Sequence, residues 1–168
     1  MAWMTSQRRA ARPLDWRSAT WAAALGGLAM LLVVMVLVPI ATRTSPFVAP
    51  RIMAALLIGR AALPPPSGFQ LGLFVVGMMV HFTLSVAFTF AFASVVRGLG
   101  AAATIAAGAV FAVGIYVLDF YVLAGAFPWV VEARGAGWLL AHLTFGVVMS
   151  GALHALRRRR GRLAPALR

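Results

Sequence analysis

From Ser18 to Thr42 no side chain carries a charge, and the same holds from Leu71 to Val96 and from Trp138 to Leu156. A fourth apolar run, Ala101 to Leu123, is interrupted only by Asp119. About 20 apolar residues, rising about 1.5 Å each, are what a helix needs to cross the hydrocarbon core of a bilayer. Lipid offers the backbone no hydrogen-bond partner, so each such run must satisfy itself as a helix. The chain therefore reads as an all-α polytopic membrane protein, a four-transmembrane-helix bundle with spans at 18–42, 71–96, 101–123 and 138–156. Residues 1–17 and 157–168 are basic tails flanking this 18–156 domain.

With 62% hydrophobic and 11% charged residues, the chain carries more apolar surface than a soluble domain of this size can bury. Its net charge of +12 comes from fifteen basic residues, all arginine, which lie almost wholly outside the apolar runs. They read as topogenic, with anionic lipid headgroups as partner, and no soluble module is left on which a nucleic-acid groove could be built. The absence of cysteine removes disulfides, thiolate metal sites and thiol nucleophiles. The first run exceeds the roughly 7–15 apolar residues of a signal peptide, and Pro39-Ile40-Ala41 is a poor cleavage site, so it reads as a span.

Arginine distribution sets the orientation. The two tails and the Arg97 turn hold all but Arg43, Arg51, Arg60 and Arg134, which places both termini in the cytoplasm of a bacterial inner membrane. Trp16 and Trp21 then fall at the inner interface, and Tyr121, Trp129 and Trp138 at the outer one. Between the first two spans, Ile52 to Ile58 is apolar but bounded by Arg51 and Arg60 and ended by Pro64-Pro65-Pro66. It is too short to cross, and a fifth crossing would put the basic tails on opposite sides. An interfacial or re-entrant segment is expected.

Polar groups inside lipid are costly and turn toward protein or water. Gly77, His81, Ser85, Thr89 and Ala93 recur every four residues on one face of the second span. His142, Gly146 and Ser150 repeat the pattern in the fourth, so close packing of these two helices is expected, with Gly77, Gly146 and Ser150 as packing residues. Counting inward from the arginines puts His81 about 24 Å from Arg97 and His142 about 22 Å from Arg157, at one level. Asp119 lies slightly further out. An ion pair with one of the four outer arginines is its plain reading, and a relay with His142 the sharper one; Tyr116 shares its face. Glu132 and Arg134 read as a solvated pair. The block Arg157, Arg158, Arg159 and Arg160 stops the fourth span.

The run Gly77 to Phe90 with His81-Phe82 and Ser85, followed by Phe120-Tyr121, Phe127-Pro128-Trp129, Glu132-Ala133-Arg134 and Ala141-His142-Leu143 with Gly146, resembles small bacterial four-helix inner-membrane proteins of unknown function. Some are labelled sodium:proline symporters, though a chain this short lacks the many spans and inverted repeats of such transporters. The resemblance implies the four-helix fold and no chemistry. Asp119 and Val130-Val131 depart from it, where a neutral Asn and an aromatic residue are expected.

No paired carboxylates, phosphate loop, metalloprotease motif or nucleophile elbow occurs, so no catalytic residue is assigned and an enzyme is the minority reading. The expected function is that of a non-enzymatic accessory or assembly component, packing against a membrane-protein partner or a second copy without a cofactor or metal. Two alternatives remain: a haem b electron-transfer protein with His81 and His142 as axial ligands, and a small channel or ion carrier using His81, Asp119 and His142.

Overall fold

The computed structural model describes residues 15–63 and 68–163; the side chain of Leu163 is not among them. The expected tail arginines Arg8, Arg9, Arg12 and Arg168 and the Pro64–Pro66 stop lie outside these residues. Among those described the chain is helical, with no strand. Four helices are long and apolar enough to cross a membrane: Trp16–Thr42, Leu71–Val95, Ala101–Gly125 and Ala136–Arg162. The protein is thus a multi-pass membrane protein with an all-α four-helix fold.

Local chemistry accounts for the ends and irregularities of these helices. Asp15 caps the first span, its carboxylate accepting from the Ser18 backbone N–H at 3.1 Å and from the Ser18 hydroxyl. Midway along this span the turn Val33–Leu37 widens, with the Val38 N–H reaching back to Val33. Pro39 explains this, because its ring cannot sit against the carbonyl four residues earlier. A second widened turn, Leu118–Val122, lies in the third span; the nearest downstream proline, Pro128, is too far away to cause it.

The expected close packing of the second span on the fourth is replaced by another arrangement: the first span inserts between them. Gly26 and Gly27 present different faces. A Cβ on Gly26 would stand 2.7 Å from that of Met149 in the fourth span, and one on Gly27 would stand 3.0 Å from Ser85 Oγ and 3.3 Å from His81 Nε2 in the second. Gly146 and Ser150 instead meet Gly108 of the third span, where Gly146 lies directly on the Gly108 carbonyl. The packing order is therefore second, first, fourth, third. The second and third spans, consecutive in sequence, meet through the rings of Phe88, Phe92 and Phe111. Outward-facing side chains such as Leu25, Leu28, Val75, Met79, Val110 and Val113 are exposed, as a lipid-facing surface requires.

The segment between the first two spans forms a helix, Val48–Ile58. It begins before Arg51 rather than after it, because a proline such as Pro50 is tolerated in a first turn whose N–H groups lack intrahelical partners. Gly77 of the second span lies on the Pro50 carbonyl, so this helix is held against the bundle. Too short to cross, it leaves and returns at the end where the first span finishes and the second begins. At the other end, the fourth helix continues to Leu163, past the expected stop at Leu156. Arg157 donates to the carbonyls of Val96 and Ala93 at 2.9 and 3.0 Å, capping the second span, and Arg160 pairs with Asp15 at 3.5 Å. Both ends of the described chain thus meet at this arginine-rich end.

Candidate functional site

His81, Asp119 and His142 line one small cavity among the four spans and the Val48–Ile58 helix, with Ser85, Met30 and Met53 also in its wall. Its volume is about 30 Å³, room for one or two waters. The depth count thus brings the right residues together, although the helices that carry them are ordered differently from expectation.

Each polar group has a distinct role. His81, buried at the first-span crossing, makes a 3.1 Å hydrogen bond with the Gly27 carbonyl, which only an Nε2–H can donate. Ser85 donates to the His81 carbonyl at 2.8 Å and Thr89 to that of Ser85 at 2.7 Å. Ser150 donates to Val147 at 3.2 Å. These hydroxyls therefore bond within their own helices rather than forming a polar line toward the arginine-rich end.

His142 is different. Nδ1 lies 2.7 Å from the Trp138 carbonyl, and Nε2 lies 3.3 Å from Asp119 Oδ2. Both of these neighbours are oxygens. A neutral imidazole carries a single N–H and can donate to only one of them, so both contacts are satisfied only when a further proton sits between Nε2 and the carboxyl group. The pair then exists as imidazolium and carboxylate, or as imidazole and carboxylic acid. Asp119 meets His142 rather than an outer arginine.

The third span and the following loop hold this pair in place. Asp119 sits in the widened Leu118–Val122 turn, a distortion that re-aims side chains and recurs at functional sites. Arg134 donates from Nε to the Phe120 carbonyl at 2.8 Å and stacks over the Tyr121 ring. The Gly135 N–H donates to the Tyr116 hydroxyl at 3.1 Å. Tyr116 and Phe120 present ring edges to His142, each with centroids 5.6 Å away. Arg134 is therefore tied to the third span instead of forming a solvated pair with Glu132. Sequence reasoning missed this tie, and it missed Met53 and the Gly27 contact; the adjacent Gly26-Gly27 in an apolar run was the available signal for the last.

The donor set bears on the haem alternative. Both His142 ring nitrogens already face oxygens, His81 Nε2 faces the first span, and the cavity between them has the volume of water rather than of a porphyrin. Among the described residues, no three His, Cys, Asp or Glu side chains are grouped to hold a metal ion.

Compared with protein-family models, with curated proteins and with solved structures, the chain matches none. Its functional reading therefore rests on the geometry of this site.

Proposed function

We propose that this is a non-enzymatic multi-pass protein of a bacterial inner membrane, with cytoplasmic termini. In this reading it is an accessory component whose bundle holds an exchangeable proton between Asp119 and His142 near the outer face. The carrying observation is that His142 has two oxygen neighbours, at 2.7 and 3.3 Å. Loss of the shared proton would set a lone pair against one of those oxygens inside an apolar bundle, which favours repacking of the third span on the fourth. The other groups facing the pair are His81 across the cavity, Tyr116 one turn below and Arg134 at the Phe120 carbonyl. A proton-dependent change in helix packing suits a protein that signals to, or assembles with, a membrane partner or a second copy.

Infrared difference spectroscopy on exchange from H2O to D2O in lipid nanodiscs tests this. The full chain should show a carboxyl or imidazolium band that shifts on exchange and is lost in both Asp119→Asn and His142→Gln. A difference spectrum identical in all three proteins would overturn the reading.

A further inference from the structure

At the loop end of the molecule, above the Asp119–His142 pair, lies a cavity of about 620 Å³ between the end of the first span, the Val48–Ile58 helix and the loop entering the fourth span. Pockets of roughly 300–1,000 Å³ are the size that small organic ligands occupy. We propose that this vestibule binds an amphipathic anion, a single carboxylate or phosphate on an apolar body.

Part of the lining is apolar, with Val34, Val38 and Ile52. The rest offers donors. Arg51 is buried, and its guanidinium donates to the carbonyls of Ala62 and Gly68 at 3.3 and 3.1 Å. Those carbonyls orient the guanidinium within the cavity wall. Trp129 also lines the cavity, and its buried indole N–H has no acceptor among the described residues. A buried donor without a partner costs about 1–3 kcal/mol, a cost that a ligand oxygen would remove. Two arginines, Arg51 and Arg134, face a single acid, Glu132, so the lining has a net positive charge. Cationic and neutral donors beside an aliphatic wall fit an anionic head on an apolar tail, and they disfavour both a cation and a fully polar solute. Such an anion is available as a membrane lipid headgroup or as a free amphipathic acid.

Quenching of tryptophan fluorescence distinguishes these sources. The full chain in neutral-lipid nanodiscs is titrated with ω-bromo-octanoate, with the matching bromo-octanol, and with phosphatidylglycerol bearing a brominated acyl chain. Saturable quenching by an anion but not by the alcohol is expected. Trp138 lines the same cavity and still reports in Trp129→Phe, so the apparent affinity should fall about tenfold both in Trp129→Phe, which removes one hydrogen bond, and in Arg51→Gln, which removes one charge-assisted contact. Quenching by octanoate assigns the site to free acids; quenching by phosphatidylglycerol alone assigns it to a lipid headgroup. If neither anion exceeds the alcohol, or if Trp129→Phe binds the anion with the affinity of the parent, the proposal fails. That comparison stands even if Arg51→Gln does not fold.

Discussion

At the scale of single residues, the contact between Asp119 and His142 has consequences that differ by substitution. Asn at position 119 keeps the shape and supplies an amide that can donate to a neutral Nε2, so the helices stay joined while the extra proton is no longer required. Leu at the same position leaves Nε2 facing hydrocarbon. Asp119→Asn should therefore unfold in detergent within about 0.5 kcal/mol of the parent, whereas Asp119→Leu should lose about 1–2 kcal/mol, the scale of an interhelical hydrogen bond in a membrane bundle plus an unmet polar group. Equal losses for the two variants would mean that the carboxylate charge, not the hydrogen bond, holds the third span to the fourth. The sequence made the pair visible because few polar groups interrupt the spans and the rise per residue fixes their depth. Two features were hidden: the oxygen beside Nδ1, since a backbone carbonyl has no sequence signature, and the widened turn that aims Asp119, which no proline announces.

Individual helices carry their stability in their ends. Arg157 donates to the last carbonyls of the second span, groups that have no intrahelical partner and that sit at the negative end of the helix dipole. Arg157→Gln should fray that end, with faster amide hydrogen exchange confined to about the last turn before Gly98 and a loss of about 1 kcal/mol. Across the same end, burial raises the pKa of the Asp15 carboxyl, but hydrogen bonds from Ser18 and the nearby Arg160 and Arg157 outweigh it and hold the group below the ordinary aspartate value. A folded-state pKa below the unfolded one gives stability that is present above the unfolded value and lost as pH falls through the folded one. The first span should therefore loosen only in acid below the usual carboxylate range. Asp15→Asn should abolish that acid limb in a thermal-melt series. A stripe of small residues says that a face is packed, but not against which helix. That is why Gly77, Gly146 and Ser150 were legible as packing residues while their partners, the Pro50 carbonyl and Gly108, were not.

For the whole molecule, charge asymmetry and packing bear on the same question of orientation. Asp15, Arg97, Arg157 and Arg160 gather at one end, and Arg43, Arg51, Arg60 and Arg134 belong to the segments at the other. Because positive loops are retained on the cytoplasmic side, the first end should face inward. The chain contains no cysteine, so single introduced thiols report without background. Gly161→Cys should react with a membrane-impermeant maleimide only after cells are broken open, and Ala126→Cys should react in intact spheroplasts. Replacing Arg157 to Arg160 with glutamine tests the cause. Arg8, Arg9, Arg12, Arg17 and Arg97 still outnumber the four arginines of the opposite end, so the labelling pattern should survive while the yield of inserted protein falls. An inverted pattern in the parent would move the vestibule and the Asp119–His142 pair to the cytoplasmic side. Their ligand and their proton would then come from the cell interior, with the geometry of both sites unchanged.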